Sequence, residues 1–127
     1  MENKDYNINE LLNLTPLDLA NWLHARYLFV LPTSVETVED LRQANELLSK
    51  LTNTFAYIES VRTFASIYVR EGKKKKLDKE IIDDRISRRD VLDTFANMLK
   101  AQYNAMSRMI TVKKQIDEEM NMYNSKL

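Results

Sequence analysis

The chain has 127 residues, with one glycine, two prolines and no cysteine. Folds built from many tight turns need glycine at positive φ, so this composition argues against β-sandwiches, β-barrels and glycine-rich nucleotide folds. Without cysteine there is neither a disulfide framework nor a thiolate zinc site. The 19 basic and 19 acidic residues cancel, but they are segregated along the chain. Residues 1–61 hold 4 basic and 9 acidic side chains, whereas residues 62–89 hold 10 basic and 5 acidic ones.

The N-terminal part predicts one helix after a polar arm. Residues 1–14 are expected to form an arm or a short helix, and residues 15–127 a single helical domain. Thr15 can cap a helix and Pro16 suits its first position, which predicts a helix over about 16–31 that Pro32 ends. The Thr33–Glu36 segment has the pattern of a capping box and predicts that the next helix begins at about residue 34.

Two long helices are expected to follow. Apolar residues recur at intervals of three and four up to Gly72, which predicts a helix over about 34–71. Gly72 follows a basic helical turn and is the predicted fold-back point, after which a third helix runs over about 78–122. The predicted fold is all-α: a long antiparallel helical hairpin with the shorter helix against its open end. Apolar residues outside the hairpin seam favour self-association into a helical bundle, with a dimer preferred.

Basic residues cluster around the predicted hairpin tip. Clustered cations can neutralise phosphates without any base-reading geometry, so a nucleic acid or an acidic protein is a candidate partner. The alternative is a solvated turn, since acidic residues are interleaved. The candidate residues are Arg70, Lys73, Lys74, Lys75, Lys76, Lys79, Arg85, Arg88 and Arg89.

Two further segments are candidates for a protein interface. Residues 22–31 are apolar on more than one helical face, which is typical of a helix that is buried all round or binds a partner. The third helix is rich in methionine, a side chain that adapts to irregular partners. The candidate interface residues are Trp22, Tyr27, Phe29, Met106 and Met109. The alternative for all of them is the core of the protein's own bundle.

Two pairs of carboxylates have the spacing of metal ligands. The Glu36/Glu39 and Glu80/Asp83 pairs resemble the ExxE and ExxD pairs with which all-α nucleotide pyrophosphohydrolases hold magnesium. That resemblance implies a magnesium-dependent hydrolase as a third hypothesis. The hairpin, however, is expected to hold the two pairs at its opposite ends. Because His24 is the single histidine and no phosphate-binding glycine motif is present, we predict no catalytic residue, no metal and no cofactor, and hence no enzyme.

The segment from Leu99 to Thr111 resembles segments of small uncharacterised helical proteins of bacteriophages and prophages. This resemblance implies a phage or prophage origin, for which an adaptor or inhibitor that acts on a host or virion component is expected. The leading hypothesis is a non-catalytic helical interaction protein, because the predicted helices are long, they carry surplus apolar faces and no catalytic constellation is present. The alternative is a nucleic-acid-binding accessory protein for replication, recombination or packaging that uses the basic tip. No targeting segment or bilayer-length apolar run is evident, so we expect a cytoplasmic protein (in the host cytoplasm if phage-encoded) without membrane contact.

Overall fold

The computed structural model describes residues 5–125, which form four helices and no strand. They are α1 (Ile8–Leu11), α2 (Pro16–Tyr27), α3 (Val38–Lys74) and α4 (Lys79–Ser125). Helices α3 and α4 pack along each other, and α2 packs against α4. The predicted all-α helical hairpin is thereby confirmed. The shorter helix, however, packs beside the half of the hairpin nearer the turn and not against its open end as predicted, since His24 of α2 contacts Phe95 of α4. Residues 1–4 of the predicted arm and residues 126–127 lie outside the described residues.

The first two helices begin at caps that their sequences provide. The Asn7 side chain accepts a hydrogen bond from the Glu10 backbone N–H at 2.8 Å, and the Glu10 side chain accepts one from the Asn7 N–H. The Thr15 hydroxyl accepts from the Asp18 N–H at 3.1 Å, with Pro16 at the first helical position. The predicted start of α2 is confirmed, and α1 adds the fully buried Leu11 to the core.

Helix α2 ends at Tyr27 and not at residue 31 as predicted. Beyond Tyr27 the chain is extended, and successive side chains of an extended chain point to opposite sides. Phe29 and Leu31 accordingly pack against the core, whereas Leu28 and Val30 are exposed. The Gln102 side chain of α4 holds this segment by donating to the Phe29 carbonyl at 3.0 Å. The sequence of residues 22–31 is apolar on several helical faces because its second part, after Tyr27, is an extended segment and not a helix.

Helix α3 begins at Val38, four residues later than predicted. Its capping box is formed by Thr37 and Asp40, and not by Thr33 and Glu36. The Thr37 hydroxyl accepts from the Asp40 N–H at 3.0 Å, and the Asp40 carboxylate accepts from the Thr37 and Glu36 N–H groups at 3.1 Å each. These backbone bonds lower the pKa of the Asp40 carboxyl below its ordinary value. The residues before Thr37 form the connection between α2 and α3, and Val35 of this connection packs against the core.

The fold-back point is Lys76, and the prediction that it is Gly72 is wrong. Helix α3 continues through Gly72 to Lys74, and Lys76 has a positive φ of 54°. The Leu77 N–H donates to the Gly72 carbonyl at 3.0 Å and the Lys76 N–H to the Lys73 carbonyl at 3.2 Å. This pair of bonds is the Schellman motif, which ends a helix by satisfying its last carbonyls. Gly72 is buried within the helix, where a Cβ would lie 3.3 Å from Arg85 Nη1.

Candidate interaction surfaces

The turn between α3 and α4 presents an exposed basic surface, which we call the basic turn (residues 70–80). It holds six basic and three acidic side chains. Arg70 and all five lysines are exposed. The Lys75 ammonium contacts the Glu71 carboxylate at 2.5 Å, and this bond lowers the pKa of the Glu71 carboxyl. The remaining lysines keep an excess of positive charge at the surface.

Arg85 is not part of this surface, although its position in the sequence suggested that it was. Its guanidinium donates to the Tyr68 carbonyl at 2.7 Å and lies 5.4 Å from the centre of the Tyr68 ring. It crosses α3 next to Gly72, where a Cβ would lie 3.3 Å from Arg85 Nη1 and would crowd the guanidinium. Arg85 therefore joins α4 to α3 and is half-buried.

Arg88 and Arg89 also lie away from the basic turn. Arg88 Nε donates to the Leu14 carbonyl at 2.5 Å, and burial lowers the pKa of the Arg88 guanidinium. This bond fixes the segment between α1 and α2 to α4. Arg89 is half-buried, with Nη2 at 3.6 Å from Asp90 Oδ1. The predicted patch of nine residues is thus reduced to the six of the basic turn.

Trp22 belongs to the core, which corrects its assignment to an interface. It is 2% exposed and lies edge-on between Tyr6 and Tyr27, with ring centroids 5.8 and 5.7 Å away. The Arg26 guanidinium lies over Trp22 at 5.4 Å and forms an ion pair with Asp5. The cluster fastens the N-terminal segment to α2. Tyr27 is half-buried and packs against the same core, as does Phe29 of the extended segment.

Met106 is likewise a core residue, because it is fully buried between the long helices. Met109, one turn further, is half-buried at the edge of an open groove. The groove lies between residues 34–36 and the face of α4 that includes Ala105, Val112 and Ile116. Of the two methionines assigned to an interface, Met109 alone borders a surface that a partner can reach.

Helix α4 is longer than the helix it packs on. It has 47 residues and α3 has 37, and both start from the same turn. Counted outward from the turn at equal rise per residue, Val38 lies level with about residue 115 of α4. We call residues 116–125 the overhang; every residue from 114 to 125 is exposed.

The overhang continues an apolar stripe of α4, which we call the outer stripe. Its members are spaced by three or four residues and share one face of the helix. Val112 is 47% exposed, Ile116 51%, Met120 55% and Tyr123 62%, and the half-buried Met109 precedes them. Their spacing continues that of the buried residues Leu99 and Met106, so periodicity alone predicts that Ile116, Met120 and Tyr123 lie in the hairpin seam. The unequal lengths of the two predicted helices were the signal that could have placed them beyond it.

The hypothesis of a hydrolase finds no assembled site among residues 5–125. Glu36 and Glu39 lie at the start of α3, and Glu80 and Asp83 at the start of α4, at opposite ends of a hairpin roughly 55 Å long. The described residues contain no group of three His, Asp or Glu side chains that could hold a metal ion.

One cleft between α2 and α4 contains side chains of the kinds used in catalysis. It is lined by His24, Ser87 and Asp90, among others. The His24 ring packs edge-on against Phe95 with centroids 5.5 Å apart. Within the described part of the chain no hydrogen bond joins His24 to Ser87 or Asp90.

Comparison with known proteins gave no match to any family model, curated protein or solved structure. None of the helices in the described range is both long and apolar enough to cross a membrane.

Proposed function

We propose that the protein is a non-catalytic helical interaction protein, an adaptor or inhibitor that self-associates and acts by occupying the surface of another macromolecule. The observation that carries this proposal is the outer stripe on the overhang of α4. Ile116, Met120 and Tyr123 are each more than half exposed, and they lie beyond the start of α3.

Physical chemistry supports a covered overhang. The overhang extends an existing helix, but in proteins most helical stability comes from the packing of an apolar face, which the overhang lacks within its own hairpin. A helix that keeps one apolar face over this length is typical of a helix packed against a partner. The hairpin itself cannot provide the partner, because α3 begins at Val38.

The proposal is tested by the mass of the protein in solution. Light scattering across a concentration series should approach twice the chain mass of 15.0 kDa. Ile116→Asp places a charge in the outer stripe without touching the core, and should shift the protein to monomer. Asn121→Asp adds the same charge to the opposite face of the overhang and should leave association unchanged. Equal behaviour of the two variants, or a monomer at every concentration, contradicts the proposal.

A second candidate function is supported by the basic turn. Its exposed lysines could neutralise the phosphates of a nucleic acid as an accessory protein for replication, recombination or packaging. Replacing Lys73, Lys74, Lys75 and Lys76 by alanine should then weaken binding to duplex DNA and lower its log–log salt slope by about 3. Arg85→Ala is the matched control, because that guanidinium faces the protein. No binding by the parent chain at low salt removes this candidate.

A further inference from the structure

We infer that a groove on the seam between α3 and α4 binds a small planar aromatic molecule that carries an acidic group. The groove has a volume of about 340 Å³ and is lined by Thr52, Phe55, Lys100, Tyr103 and Asn104. This volume lies within the range of small-molecule sites in proteins. The groove shares no residue with the outer stripe or with the cleft between α2 and α4, so the inference does not rest on the proposed self-association.

Two aromatic side chains, one from each long helix, border the groove. Phe55 of α3 is half-buried and packs against the core, and Tyr103 of α4 is 37% exposed. In the described part of the chain neither ring contacts another aromatic ring, whereas the rings around Trp22 contact one another. Aromatic rings attract one another in offset-stacked or edge-on arrangements. A planar ring in the groove therefore gives both side chains a partner of this kind.

The charge at the groove is the ammonium group of Lys100. This side chain is exposed, and among residues 5–125 no carboxylate forms an ion pair with it. The α4 residues one turn before and after it, at positions 96, 97, 103 and 104, include no acid. An acidic group on the ligand is therefore complementary in charge to the groove. Hydrogen bonds between two charged groups are about twice as strong as those between neutral ones.

Two polar side chains complete the lining of the groove. Asn104 lies one turn after Lys100 on the same face of α4, where its amide N–H can donate to the same acidic group. The Thr52 hydroxyl donates to the Leu48 carbonyl at 2.9 Å, so its oxygen faces the ligand as an acceptor only. The five lining residues combine two aromatic surfaces with one cation and no carboxylate, which favours an aromatic acid over an amine.

Titration of the chain with naphthoate, followed by the NMR shifts of its backbone amides, tests the inference. Saturable shifts should centre on residues 52–55 and 100–104. Lys100→Gln should weaken naphthoate binding by about tenfold, because the charged hydrogen bond is lost. The same variant should bind the uncharged naphthalenemethanol as the parent chain does, because both rings of the groove remain. Lys114→Gln removes the same charge from another exposed position on α4 and should leave naphthoate binding unchanged.

Tyr103→Ala tests the aromatic part of the groove and should weaken the binding of both ligands. The inference is overturned if no saturable binding occurs, or if Lys100→Gln and Lys114→Gln bind naphthoate equally. Shifts centred on residues 112–123 overturn it as well, because naphthoate would then bind the outer stripe. A loss of dimer mass in Tyr103→Ala has the same consequence, since a second copy and not a small molecule would occupy the groove.

Discussion

Lys76 has the backbone conformation that proteins most often give to glycine. The two hydrogen bonds that end α3 require its φ of 54°. Lys76 is the last residue of a run of lysines whose side chains lie in the solvent. Gly72 has a different role, because its missing Cβ leaves more space for the Arg85 guanidinium, which donates to the Tyr68 carbonyl. The sequence showed that the chain turns in this region. It could not show which residue turns, because the close approach of Arg85 to Gly72 exists only after the two helices have packed.

At the residue scale, Lys76→Gly should stabilise the protein. A residue with a Cβ in the left-handed region costs about 1 kcal/mol relative to glycine, and this cost is removed in the variant. Urea unfolding should show a higher midpoint with an unchanged slope. Lys76→Ala removes the same charge but keeps the cost, and should therefore show no such gain. A stability equal to or below that of the parent chain would contradict the assignment of the turn.

Element ends were harder to predict than element types. Four-residue capping patterns occur twice in succession, at Thr33–Glu36 and at Thr37–Asp40. The local sequence does not show which of the two patterns begins α3. The choice is made by the extended segment before α3, in which Phe29, Leu31 and Val35 pack against the core. These contacts keep residues 28–36 out of either helix. The helical periodicity of α3 and α4, by contrast, is local and long, and it predicted the hairpin correctly.

At the element scale, Thr37→Ala and Thr33→Ala should differ. Thr37 caps α3, so its replacement should lower the free energy of unfolding by about 1 kcal/mol. Thr33 is exposed and lies outside the capping box, so its replacement should change stability by less than about 0.5 kcal/mol. Chemical denaturation of both variants measures the difference. If Thr33→Ala lowers the free energy of unfolding more than Thr37→Ala does, α3 begins at about residue 34, as the sequence pattern alone predicted.

The whole molecule is a hairpin with arms of unequal length and different ends. The basic turn closes one end, and the overhang with the outer stripe extends from the other. The core around Leu51, Leu99 and Met106 could be predicted from periodicity. The exposed stripe has the same periodicity as the seam, so only the unequal lengths of the two predicted helices could have separated it from the core. An end-to-end dimer would join the two overhangs and present a basic turn at each extremity. Such a molecule could link two anionic or acidic surfaces.

Small-angle X-ray scattering measured together with the mass tests this account most directly. Helix α4 sets a maximum dimension of about 70 Å for one chain, and two chains that join through their overhangs must exceed it. We predict that the dimer mass and the longer dimension appear together as concentration rises, and that Ile116→Asp abolishes both. A dimer with a maximum dimension of about 70 Å would indicate side-by-side packing, and a monomer at every concentration would remove self-association altogether.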